Sequence, residues 1–141
     1  MRRRALASAL ILAAASAAAQ DQAPQLGLKI GQTLAIPVVI ADGAVRLGTS
    51  RLEAASAPKD GEIAVTVARN GLSPYADVTV VEKTAQPVDF VATGLIGDIK
   101  IDEIEVCGRL DQPVRARIAS GSWRVALKSF AVLPDGQVCR P

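Results

Sequence analysis

Histidine is absent from the chain. With it go Ser-His-Asp and Cys-His nucleophile systems, imidazole acid–base chemistry and histidine metal sites. The serines beyond the N-terminal stretch are Ser50, Ser56, Ser73, Ser120, Ser122 and Ser129, and none stands in a G-x-S-x-G or S-x-x-K setting. Lys128 and Ser129 are neighbours on an expected strand, so their side chains point to opposite faces. The aromatics are Tyr75, Phe90, Trp123 and Phe130. With Phe90 and Trp123 expected inward, little is left to stack on a sugar or a base. This inventory points to a protein that is not an enzyme and needs no cofactor.

Three groups of residues remain that could do chemistry. Cys107 and Cys139 are the only cysteines. They lack C-x-x-C spacing and have no histidine to complete a metal site, so they read as a disulfide. It would close a loop of about 32 residues and tie the C-terminal tail to the strand that carries Cys107. Asp98, Asp102, Glu103 and Glu105 form an acidic stretch. They could gather around Ca²⁺, but the D-x-D-x-D-G spacing is missing and Lys100 sits inside the stretch, so no metal is expected. Arg115, Arg117, Arg124 and Lys128 are four cations on two neighbouring runs, a possible interaction face for an anionic partner. A solvated face whose acids answer these bases is the plainer expectation.

The elements that must position these groups are strands. Apolar residues alternate with polar ones around residues 45–47, 62–67, 77–80, 88–92, 99–102, 114–118 and 123–128. Each run reads as a half-buried strand. Residues 34–40 are more continuously apolar and should be buried on both sides. Turn chemistry falls between the runs at Asp42-Gly43, Pro58-Lys59-Asp60-Gly61, Asn70-Gly71, Ser120-Gly121 and Pro134-Asp135-Gly136. About seven to nine strands at this spacing suggest an all-β, immunoglobulin-like β-sandwich, or a small barrel. The cysteines are too close together for the inter-sheet pair of antibody domains. If Ser120-Gly121 is a two-residue turn, the strands on either side pair as a hairpin, with Ala116 facing Val125, Val114 facing Leu127 and Arg117 facing Arg124. Opposed like charges are destabilising, which makes nearby Glu103 and Glu105 the expected compensation.

Address comes from the N-terminus. Met1 is followed by Arg2, Arg3 and Arg4, then an uncharged run over 5–19 that ends Ala17-Ala18-Ala19. A basic region, a short apolar region and small residues before a cut are the parts of a cleavable secretory signal. The run is too short and alanine-rich for a permanent span. The expected organisation is a signal peptide over 1–19, a flexible segment over 20–26 and one β-sandwich domain over 27–141, with no transmembrane segment in the mature chain. The precursor holds 16 basic and 14 acidic residues, net +2. The three signal arginines leave with the signal, and 13 basic residues then face 14 acidic ones. The basic balance therefore belongs to targeting, and no nucleic-acid partner is expected.

These readings converge on a periplasmic or secreted accessory or assembly subunit that works through a protein partner in the cell envelope. A ligand-binding module for an anion or Ca²⁺ is the second reading. In composition the chain resembles fimbrial subunits, although both cysteines lie late where those subunits place theirs early. That likeness implies the third reading, a subunit of a surface polymer.

Overall fold

The computed structural model describes residues 26–53, 57–119 and 124–141. The expected signal peptide, nearly all of the 20–26 segment, the Ser120-Gly121 turn and Trp123 lie outside the described residues. Ten strands are found within them and no helix: β1 Leu26–Lys29, β2 Thr33–Ala41, β3 Ala44–Leu47, β4 Arg51–Glu53, β5 Glu62–Arg69, β6 Tyr75–Glu82, β7 Asp89–Ile96, β8 Ile99–Val106, β9 Val114–Ala119 and β10 Arg124–Ala131. They form two antiparallel sheets. One has the order β1-β10-β7-β8; the other has the order β3-β2-β5-β6-β9, with β4 also on β2. One of the two is strongly curled.

Period-two patterning builds the core between the sheets. Leu28, Phe90, Val125 and Leu127 come from the four-stranded sheet, and Ile36, Ile63, Val65, Val78, Val80 and Ile118 from the six-stranded one. All are essentially without solvent contact. The first half of β2 is buried on both sides, as its unbroken apolar run predicts: Leu34 and Ile36 face inward, while Ala35 is covered on the outside. Its second half has only β3 and β5's end beside it, and Val39 is exposed.

Asp42 and Gly43 both take positive φ, 52° and 73°, and join β2 to β3 with Ala41 opposite Ala44. This is the two-residue hairpin that an Asp-Gly pair favours, because its backbone twist matches that of the strands. β10 carries a bulge. Lys128 pairs with Val91 but Ala131 pairs with Asp89, and Ser129 between them sits at φ 58°. The extra residue re-aims Phe130 inward, where its ring stacks on Phe90 at 5.1 Å.

The expected β9–β10 hairpin does not form. β9 pairs with β6, placing Ala116 opposite Val78 and Arg117 opposite Asp77. β10 lies in the other sheet, between β1 and β7. Alternation alone fits either arrangement, since any apolar strand in the right phase completes the inward face. The observed pairing puts Arg117 against an acid instead of another arginine. The chain changes sheet between Ala119 and Arg124, and the end of β9 closes onto the four-stranded sheet. There a Cβ on Gly94 would stand 2.7 Å from the Ala119 carbonyl oxygen, so the approach depends on that glycine.

Candidate functional site

The topology divides the four cations. Arg115 and Arg117 lie on the outer face of the six-stranded sheet, and Arg117 meets Asp77 at 3.8 Å. Arg124 and Lys128 lie on the outer face of the other sheet. They flank Ala126 and line a hollow of about 240 Å³ together with Thr93, Leu95 and Asp98. Gly27, opposite Ala126 on β1, has no side chain, and the Arg124 stem runs 3.6 Å from where a Gly27 Cβ would be. Arg124 is directly opposite Lys29. Thus the like-charge pair expected between Arg117 and Arg124 falls instead between Lys29 and Arg124. Neither makes an ion pair among the described residues, and neither does Arg115.

The acids of residues 98–105 separate in the same way. Glu103 takes Lys128 at 2.8 Å and Lys100 at 3.7 Å, and accepts a hydrogen bond from the Thr93 hydroxyl at 3.3 Å. The Lys128 hydrogen bond, ahead of Coulombic attraction from Lys100 and Lys128, holds its carboxyl below the ordinary glutamate value. Asp102 sits at the irregularity in β8, where Gly94 pairs with Asp102 but Leu95 pairs with Lys100. Its carboxylate accepts the backbone N–H groups of Glu103 at 2.9 Å and Ala119 at 2.7 Å, pinning β9 to β8. Glu105 does not reach Arg115 or Arg117 as expected from the sequence. Its carboxylate rests 3.5 Å from Cys139 Sγ, a packing contact because a disulfide sulfur has no hydrogen to donate. Asp98 stands apart at the β7–β8 turn. Among the described residues no group of three or more His, Cys, Asp or Glu side chains is placed to hold a metal ion.

Cys107 and Cys139 are bonded, with Cα atoms 5.5 Å apart. The bond ties the tail to the end of β8 and so walls a concavity of about 440 Å³, bounded by the 86–89 strand entry, residues 107–109 and the tail turn around Pro134. Asp89 lines it, only 8% exposed, and its Oδ1 accepts the Gly108 N–H at 2.8 Å. Beneath Gly108 lies Glu82, 4% exposed. Its Oε2 accepts the Val88 N–H at 3.1 Å, and its Oε1 has no partner. Burial pushes the Glu82 carboxyl up to about 7; the Val88 N–H opposes this and the nearby Asp89 charge adds to it. Gly108 must be glycine here, since a Cβ would stand 2.3 Å from the Val88 carbonyl oxygen and 2.6 Å from Glu82 Oε2.

Sequence reasoning missed this pair, although one signal was present. Glu82 is in phase with Ala76, Val78 and Val80 on β6, so the alternation that buries those three turns Glu82 inward too. A second buried acid, Glu62, was missed as well. Arg51 on β4 reaches across β2 and grips both Glu62 oxygens at 3.1 and 2.8 Å, while also bonding Glu53. That bridge roofs Ala35. The Glu62 hydrogen bond, then that of Glu53, raises the Arg51 pKa further.

No helix among the described residues is long and apolar enough to cross a membrane. Comparison of the chain with protein-family models, with curated proteins and with solved structures finds no match in any of the three.

Proposed function

We propose that the chain is exported to the periplasm or beyond as a non-catalytic, immunoglobulin-like β-sandwich, and that it acts by contact with a protein partner as an accessory or assembly subunit of the cell envelope. One observation carries this reading. Ile96 and Ile99 face each other across the β7–β8 turn, and Ile101 follows on β8, the last strand of its sheet. They are 45%, 70% and 38% exposed. Exposed isoleucines at the end of a sheet are a liability for a free protein and an asset for one that is covered in use. Of the charged groups around them, Glu103, Lys100 and Lys128 are engaged with one another and Asp102 with backbone, while Asp98, in the turn itself, forms no ion pair among the described residues.

The test uses a photo-crosslinking residue at position 99 in cells, with one at position 115 as control. A single adduct of defined size in the envelope fraction, lost when Ile96 and Ile101 are both replaced by Asp, is the expected result. An adduct from position 115 but not from 99 would place the contact on the other sheet. None from either would end the reading.

A second reading is favoured by the opposed Lys29 and Arg124, cations that no acid among the described residues pairs with. Beside the hollow over Ala126 they suit an anionic ligand, such as an acidic polysaccharide. Retention on a sulfated resin that falls in the Arg124→Gln variant would support this second reading.

A further inference from the structure

Glu62, a deeply buried acid, is neutralised by Arg51. Glu82 and Asp89 are buried as deeply, yet neither makes an ion pair among the described residues, and Glu82 keeps one oxygen with no partner at all. Two neighbouring buried acids without a cation are an unfavourable use of a protein interior, because burial strips water from both and penalises the ionised form of each. A buried polar group left unpaired calls for an explanation. Asp89 and Gly108 line a concavity of about 440 Å³, and Glu82 lies behind Gly108, its Oε2 2.6 Å from where a Cβ on that glycine would stand.

We infer that the concavity walled by the Cys107–Cys139 disulfide is a binding site for a guanidinium or ammonium group, held by Asp89 with Glu82 behind it. Asp89 Oδ1 is committed to the Gly108 N–H, and its second oxygen is free to accept from the ligand. Pro87, Val132, Leu133 and Pro134 line the walls and suit the alkyl stem that carries such a group, and Gln86 and Gln137 bring side-chain carbonyls. A volume of about 440 Å³ admits a ligand of that size. Arg109 and Asp135 also line the site. Arg109 is exposed and forms no ion pair with Asp89 or Asp135, so Asp89 is left without a cation among the described residues. A metal ion fits less well, since no group of three or more His, Cys, Asp or Glu side chains converges among the described residues. The site is at the opposite end of the β7–β8 pair from Ile96 and Ile99, and it rests on its own observations, whatever happens at that contact.

The ligand's cation can belong to a free amine or to a side chain of another protein, and the test separates the two. Backbone amide shifts of the full mature chain are followed while N-acetyl-arginine amide, spermidine, an arginine-bearing octapeptide or CaCl₂ is added. The expected result is saturable movement of the Asp89, Gly108 and Gln86 amides with the organic cations, in the same solution that leaves the Lys29 and Arg124 amides still. Asp89→Asn keeps an oxygen for the Gly108 N–H while removing the charge, and should weaken binding about tenfold or more. Glu82→Gln should weaken it less. Tighter binding of spermidine than of the octapeptide identifies a free amine as the ligand, and the reverse identifies a partner's side chain. Unchanged affinity in Asp89→Asn, movement confined to other amides, or a response to CaCl₂ alone would overturn the inference. Should Asp89→Asn fail to fold, the amide map of the unmodified protein decides alone.

Discussion

Glu82 and Glu62 show what single acids do in this interior. Both are buried; one has Arg51 and the other has none. For Glu82 the carboxyl rises from an ordinary 4.5 to about 7. Below the lower value it is protonated whether the chain is folded or not, and it costs nothing. Between the two values the unfolded chain loses the proton while the folded one keeps it, so stability falls as pH rises. Above about 7 the folded carboxyl ionises too and the loss levels off. Glu82→Gln has no such dependence. It should therefore match the wild type near pH 4 and exceed it near pH 8, by on the order of 2 kcal/mol. Melting curves at the two pH values check this, and an equal difference at both would remove ionisation as the cause. For Glu62 the expectation has the other sign. Arg51→Met leaves the buried Glu62 carboxylate without its cation, and should lower stability at neutral pH. Chemical denaturation at constant slope would measure it. Neither acid stood out in the sequence as a charge cluster does. What marked Glu82 was its phase on β6, a signal visible only once the strand's inward side is known.

At the scale of the element, the sequence is most informative where chemistry and period act together. Asp42-Gly43 has a residue pair with the needed φ, and apolar runs on both sides, so its hairpin could be placed to the residue. β1 escaped because four residues including Gly27 give too short a pattern, and β4 because three residues give hardly any. The β9–β10 pairing was expected wrongly for a different reason. Period two states which face of a strand is apolar, and does not state which strand lies beside it. Asp77 opposite Arg117 was the missing information, and it comes from a segment some forty positions away. The bulge at Ser129 belongs to the same class, since it exists to bring Phe130 to Phe90 and not to satisfy its own residue. Ser129 holds a left-handed conformation that costs an L residue about 1 kcal/mol. Ser129→Gly should thus raise the melting temperature, while Ser129→Val, β-branched at positive φ, should lower it by about 1–2 kcal/mol of stability. If Val were tolerated as well as Gly, the bulge would not be what fixes Phe130.

The whole molecule is held as two sheets closed at two places. At one, Asp102 and Gly94 let the end of β9 settle onto the four-stranded sheet. At the other, the Cys107–Cys139 bond returns the tail to the end of β8. The first closure is made of hydrogen bonds within the strands' own region. The second spans 32 positions, including all of β9 and β10, and so restricts the unfolded chain far more than it adds contacts to the folded one. On the chain-entropy account it contributes about 3–4 kcal/mol. The expected signature of its loss is twofold. A Cys107→Ala, Cys139→Ala variant should melt well below the oxidised protein. Its tail after Val132, which then keeps only the turn at Pro134 and contacts along the concavity, should become the first site of limited proteolysis while the strands persist. Because the same tail walls the concavity over Asp89, the variant should also lose the amide response to N-acetyl-arginine amide. A variant that melts lower with its tail still protected would mean that packing, and not the disulfide, seats the tail. The concavity would then be intact without the bond.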